Sequence, residues 1–366
     1  TADLMNFRLG EEGYANSEVE PVPELDHEKK EASITFYVNP KSRVYVRNIN
    51  FRGVDQVDDE VLRREMRQLE GSYLSNLLVD RSKIRLQRLP FVETVDVNNT
   101  PVPGSPDLVD VDFDVEYRMP GQFSGGIGYS DSQKVMLNGS IVHTNFLGTG
   151  DRVAVELNSG RFQKLYSISH SDPYRTMDGV RRTHSVNYRD ITQFTSAASD
   201  FSTTSAGATV DYGYPISEYQ TLSFGATFQH SELLSSTNST RQAQEWVANN
   251  GNPFIEDVGF GATFFGTEFD TFELIAGWSY DSRNRALFAN RGTRQQLFLS
   301  VAVPGSDVEF FQARYNFTKY IPLWSNKWTL RVNAELGLGE AMGDTTALPP
   351  YKQFYGGGPQ SVRGYK

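Results

Sequence analysis

Five histidines, His27, His143, His170, His184 and His230, have the widest reach of any side chains here in acid–base and metal chemistry. They are scattered and show no metal-ligand spacing. Asp110, Asp112 and Asp114 put three carboxylates on one face of a strand. Calcium is conceivable there, but a solvated edge face explains the same row more simply. Gly356-Gly357-Gly358 follows no strand and opens no obvious helix, so it does not read as a phosphate cradle. There is no Gly-x-Ser-x-Gly elbow and no P-loop. The absence of cysteine removes disulfides, thiolate nucleophiles, Cys-ligated zinc and iron–sulfur clusters together. The expectation is a protein with no catalytic residues, no metal and no cofactor, whose work resides in its architecture.

That architecture has two parts. The chain has 366 residues and a net charge of -10, a poor balance for gripping nucleic-acid phosphates. Residues 1–118 hold 23 acidic, 15 basic and 10 aromatic residues, whereas 119–366 hold 22 acidic, 20 basic and 36 aromatic. The boundary falls at Met119-Pro120-Gly121, where Pro and Gly punctuate the change.

The charged part contains a near-repeat. One copy runs Tyr14–Val19, Pro21-Val22-Pro23, then an alternating strand Ile34–Val38; the other runs Phe91–Val97, Pro101-Val102-Pro103, then Val109–Val115. The second copy is complete, with a strand Val44–Phe51, a helix N-capped by Asp58 or Asp59 and running through Arg67, and a helix near Asn76–Leu89. It reads as a β-α-α-β-β module, preceded by one that has lost its front.

In 119–366 apolar residues recur at every second position. Trp328, Leu330, Val332, Ala334, Leu336 and Leu338 alternate with Thr329, Arg331, Asn333 and Glu335, and about eleven such runs follow one another. Their length of about ten residues suits a tilted strand crossing a bilayer. A soluble barrel or sandwich would show the same alternation turned inside out. Aromatics near strand ends (Tyr129, Tyr214, Tyr219, Tyr280, Tyr320, Trp324, Trp328) and a polar face poor in lysine favour the membrane. Turns at 146–150, 215–218 and 322–327 alternate with long connections at 232–267 and from 340 onward. Arg241–Trp246 reads as a short packing helix within the first of these. A closed barrel has no free edge, so an odd number of strands predicts further chain beyond both ends.

Val61-Leu62-Arg63-Arg64-Glu65-Met66-Arg67-Gln68-Leu69-Glu70-Gly71, Phe146-Leu147-Gly148-Thr149-Gly150, Asp172-Pro173-Tyr174 and Val362-Arg363-Gly364-Tyr365 carry a resemblance. Over its whole length the chain resembles the outer-membrane insertases that join polypeptide-transport-associated (POTRA) domains to a transmembrane β-barrel. The resemblance implies an α+β fold for 1–118, with 1–42 the tail of a fourth POTRA domain and 43–118 a fifth. It makes 119–366 about 11 of 16 antiparallel barrel strands, ending in the sixth extracellular loop. It places the protein in the bacterial outer membrane with its POTRA domains in the periplasm. The partners it implies are unfolded outer-membrane proteins, accessory lipoproteins and membrane lipids, with no nucleic acid.

Three sites follow from it. Val362, Arg363, Gly364 and Tyr365 would fold into the lumen, where an Arg fork can bind wall carboxylates bidentately; without the motif, an ordinary exposed loop arginine is the simpler reading. Glu70 falls where the family docks an accessory lipoprotein, and is otherwise a solvated carboxylate at a helix end. Gly125, Gly126 and Gly128 weaken the first barrel strand. They either make room for a lumenal loop or form a gate whose edge templates a client strand by β-augmentation. The function implied is insertion of β-barrel proteins without ATP. A two-partner-type secretion pore is the alternative, and a soluble binding module with a β-domain is the third reading.

Overall fold

The computed structural model describes residues 2–26, 31–131, 134–192, 201–217, 219–257, 263–285, 288–324 and 328–354. They form two compact units, one of Thr1–Gly121 with His143–Asp151, the other of Gln122–Val142 with Arg152–Lys366.

The first unit opens with helix α1 (Ala2–Glu11), which sequence periodicity did not reveal, and an antiparallel hairpin of β1 (Glu18–Asp26) and β2 (Glu31–Asn39). A second module follows: β3 (Tyr45–Arg52), α2 (Asp59–Arg63), α3 (Asn76–Gln87), β4 (Val92–Val102) and β5 (Ser105–Tyr117). Its sheet runs β3-β5-β4, with β3 parallel and β4 antiparallel to β5. The β1–β2 hairpin stands to α1 as β4–β5 stands to α3, so the near-repeat in sequence is a repeat of structure. Val109, Val111, Phe113 and Val115 face one side of β5 and pack with Val46, Leu62, Leu86, Phe91 and Val95 into the core.

Two expectations for this module are corrected. The acidic row is not a solvated edge face, because β5 is the central strand and its carboxylates are occupied. Asp110 binds the Arg47 guanidinium, Asp112 accepts from Asn50 at 2.8 Å and Thr100 at 3.1 Å, and Asp114 accepts from Asn98 at 3.0 Å. The helix expected to reach Arg67 ends at Arg63, and Asp58 occupies the N-cap position without a side-chain bond. Continuing the helix would send the Arg67 amide to the Arg63 carbonyl; instead the Arg67 and Gln68 amides donate to Ser82 Oγ of α3, at 2.8 and 3.2 Å. The turn at 146–150 also belongs to this unit. Its Gly148 carbonyl accepts from the Asp58 amide at 3.0 Å, and Gly148 and Gly150 adopt φ of +86° and +75°, which favours glycine. A Cβ on Gly150 would also lie 2.9 Å from Val61.

The second unit is one antiparallel meander: β6 (Gly121–Ser130), β7 (Lys134–Phe146), β8 (Asp151–Ser159), β9 (Gln163–Asp172), β10 (Arg181–Thr192), β11 (Phe201–Ser217), β12 (Gln220–Ser236), β14 (Thr263–Asp281), β15 (Gly292–Ala302), β16 (Glu309–Leu323) and β17 (Trp328–Met342). The sequence-based count of eleven holds for this path, and most of its boundaries shift by only a residue or two. The exception lies between β12 and β14. Leu233-Leu234 breaks the alternation, yet pairing continues to Ser236↔Phe264 because Leu233 is buried on the inner face. The connection therefore shortens to 237–262. It carries the expected helix, now α4 (Arg241–Asn249), and a short strand β13 (Asn252–Asp257) paired to β14.

Register shows what the alternation accomplishes. Val155, Ile168, Val186, Ala208, Phe228 and Phe272 lie opposite one another across six strands, and large members of this face are open, Ile168 by 52% and Phe272 by 47%. The other face presents Ser169, Ser185, Thr209, Thr227 and Glu273. An extensive apolar face left bare, behind a polar one, is the arrangement of a membrane barrel wall and not of a soluble sandwich.

Ser82 is fully buried, accepts two amides and donates to the Leu78 carbonyl at 2.8 Å. Ser82→Ala should cost about 1–3 kcal/mol, the penalty for stranding buried donors. The check is a lower urea midpoint for loss of amide protection across 44–118.

Candidate functional site: two strand edges and a loop on the inner face

β6 ends the path of the sheet, and among the described residues it pairs only with β7. Its apolar side chains are widely open, with Ile127 82% exposed. A Cβ on Gly125 would meet the Phe123 ring at 3.3 Å, and one on Gly128 would meet Met136 at 3.2 Å. One on Gly126 would meet nothing within 4 Å. None of the three has a left-handed φ. At Gly126 no described loop claims the vacant space, so steric room does not explain that glycine. What it removes is side-chain packing and β-propensity, from a strand already paired on one side only.

β3 has the opposite treatment. Its outer edge is satisfied by the chain after α2: Val46 N donates to the Ser72 carbonyl at 2.9 Å, Gly71 N to the Val46 carbonyl at 2.8 Å, and Leu74 N to the Val44 carbonyl at 2.8 Å. Where that chain diverges, side chains take over. The Ile49 amide donates to Glu70 Oε1 at 2.8 Å, and the Ile49 carbonyl accepts from Arg63 at 3.2 Å. Arg63 also donates to the same Glu70 oxygen at 3.1 Å. Glu70 therefore does not end a helix, and it is not a merely solvated carboxylate. The Ile49 amide, assisted by Arg63, holds its carboxyl below the usual range.

The resemblance implies a loop folded into the lumen, and the residues that hold its stem were not legible in the sequence. The chain after β17 folds back on the polar face of the sheet. Ala347, Leu348 and Tyr351 pack on a buried cluster of Leu233, Trp246, Phe269 and Phe310. The Ala347 carbonyl accepts from Trp246 Nε1 at 2.7 Å, Asn250 and Thr346 exchange bonds of 2.8 and 2.9 Å, and Lys352 Nζ lies 2.8 Å from Glu273. Phe354 rests against Gly337, where a Cβ would come within 2.5 Å of its ring. Val362, Arg363, Gly364 and Tyr365 lie outside the described residues, as do His27 and Gly356–Gly358. His170 and His184 face each other across β9 and β10, while His230 Nδ1 lies 2.7 Å from Asp270. Among the described residues no three His, Asp or Glu cluster as metal ligands.

Residues 145–366 match the Omp85 superfamily domain, and residues 44–118 match the POTRA family described as a surface antigen variable number repeat. The chain belongs to the Omp85 superfamily, and the fold described above is that of its periplasmic POTRA elements and part of its outer-membrane barrel. Within it the similarity runs to outer-membrane assembly factors of the BamA type. The chain is 29% identical over 98% of its length to the outer membrane protein assembly factor BamA of Neisseria meningitidis, and covers 44% of that protein. The crystal structure of BamA from Haemophilus ducreyi lacking POTRA domains 1–3 superposes with a TM-score of 0.77 at 30% identity, over 99% of this chain and 68% of that one. CdiB from Acinetobacter baumannii is similar at a TM-score of 0.52 and 14% identity over 99% of this chain and 62% of that one, a likeness of fold alone. The chain thus spans less than half the length of the Neisseria relative.

Because folding lowers the Glu70 pKa, its contribution is complete above the ordinary glutamate range and is lost as pH falls through the lower, folded one. Glu70→Gln should flatten the acid limb of module stability, and Glu70→Ala should speed exchange of the Ile49 amide about tenfold or more. Hydrogen exchange at Ile49 across pH 3–7 reads both.

Proposed function

We propose that the chain is the POTRA-to-barrel portion of an insertase that folds β-barrel proteins into the bacterial outer membrane. The observation that carries this reading is the glycine-weakened strand β6 at the end of an otherwise regular sheet, in a chain similar to BamA along nearly its whole length. No nucleotide is required. The client's own burial of apolar surface and pairing of its backbone supply the drive, and the barrel lowers the kinetic barrier by offering an edge on which a client strand can pair. Gly125, Gly126 and Gly128 make that strand easy to part from a neighbour.

The module of 43–118 is read as the fifth POTRA domain and 1–42 as the end of the fourth, supported by the structural repeat. Both Glu70 bonds go to Oε1, which leaves Oε2 to receive a cationic side chain from an accessory lipoprotein. Val362, Arg363, Gly364 and Tyr365 are read as the lumenal tip of the loop whose stem lies on the inner face. The two-partner-type secretion pore has the weaker support, since the BamA similarities extend to sequence and the CdiB likeness does not.

The test is the folding of an outer-membrane protein diluted from urea into liposomes carrying the protein as its cell makes it. Folding should be faster than in empty liposomes, and equal rates would sink the reading. Arg363→Ala separates a working loop, which slows the client, from one needed only for assembly of the barrel. Gly126→Val adds β-propensity where space is open, and should slow the client about threefold or more while the barrel still forms. An unchanged rate would remove the gate from the mechanism.

A further inference from the structure

We infer that Glu273 and Lys352 are positioning residues, an ion pair between a buried carboxylate and a half-buried ammonium that latches the loop after β17 to the inner wall, ten residues ahead of the Val362–Tyr365 tetrapeptide. Glu273 projects from β14 on the polar face and is 5% exposed. Lys352 reaches it from the loop at 2.8 Å, with Nζ 5.0 Å from the centroid of the fully buried Phe310 ring. The backbone is fixed beside the charge, because Gln312 Nε2 of β16 donates to the Lys352 carbonyl at 2.8 Å. Two strands therefore hold one residue by both its side chain and its main chain.

The remaining contacts of the stem are of a different kind. Thr346 and Ala347 bond to the α4 segment, and Tyr351 stacks on Phe269 at 6.4 Å. These are neutral interactions, while at the end of the stem the Arg314 guanidinium of β16 lies 5.5 Å from the centroid of the Phe354 ring. Among the described residues the Glu273–Lys352 pair is the one ion pair between this stem and the wall. A charge left alone at so enclosed a place is strongly disfavoured, so the pair forms or opens as a unit.

Position makes the latch consequential. Val362 lies ten residues after Lys352, and a chain of that length reaches at most about 35 Å. A closed latch therefore anchors the near end of the segment that leads to the tetrapeptide, and an open one frees that end with the stem. This rests on the insertase reading for its role, though not for its existence.

These 366 residues contain no cysteine, so Ala347→Cys, in the full protein with any cysteine elsewhere replaced by serine, reports the stem by its reaction with a polar maleimide in liposomes. In Lys352→Met and Glu273→Gln, labelling should rise about tenfold or more and client folding should slow. The exchanged pair, Glu273→Lys with Lys352→Glu, should restore both towards the parent. Labelling unchanged in the single variants overturns the latch. Labelling raised with client folding unchanged overturns the positioning role and leaves a structural contact. Should the single variants fail to form the barrel, Gln312→Leu keeps both charges and removes only the carbonyl bond. Intermediate labelling there supports the latch, and parental labelling overturns it. A parent that accelerates no client refutes the insertase, whereupon labelling alone decides the ion pair.

Discussion

Hydrocarbon offers no water to a backbone amide or carbonyl, so a strand that crosses it must find both its hydrogen-bonding partners in neighbouring strands. That constraint dictates the larger unit. It requires every strand of the meander to pair with the next, from β6 to β17, with the register broken among the described ladders only by a bulge at Pro215–Ser217. Once register is fixed, side chains sort by parity, and a slip of one residue would turn the polar row Ser169–Ser185–Thr209–Thr227 towards lipid. The same demand makes an unpaired edge costly, which is why β6 attracts a functional reading at all. On the proposed function, that cost is what gives the glycines of β6 their role.

Two of the strand edges, those of β3 and β6, are managed in contrasting ways. On β3, a soluble sheet next to water, the edge is closed by residues 71–74 and then by the carboxylate and guanidinium of Glu70 and Arg63. Side chains here continue a ladder that main chain has abandoned, and they close the edge to another strand. On β6 no described residue does this. A protein that shields one edge with charge and leaves another thinly built is using the same physics of strand pairing to opposite ends.

Much of this was readable from the residues. Long period-2 runs such as Trp328–Leu338 specify strands because the bilayer demands the pattern over its full thickness, and the Pro-Val-Pro repeats marked equivalent hairpins. What was not readable depended on tertiary partners. Arg67 has nothing in its own sequence to stop a helix; Ser82, brought over by α3, does that. The centrality of β5 follows from the parallel crossover, which no local pattern announces. Glu70 looked like a solvated helix end because its true partner, the Ile49 amide, lies on another element. The resemblance implied an inward loop, but its holding contacts were not readable, because Tyr351, Lys352 and Phe354 acquire meaning only opposite Phe269, Glu273 and Gly337.

The bonds between Asn250 and Thr346 join residues 96 positions apart in the chain. A contact of that separation cannot form until the intervening strands have found their places, since the closure of so long a segment is rewarded only afterwards. Pairing of β14 to β17 therefore comes before the stem settles on α4, so the inner face of these strands is wetted before it is covered.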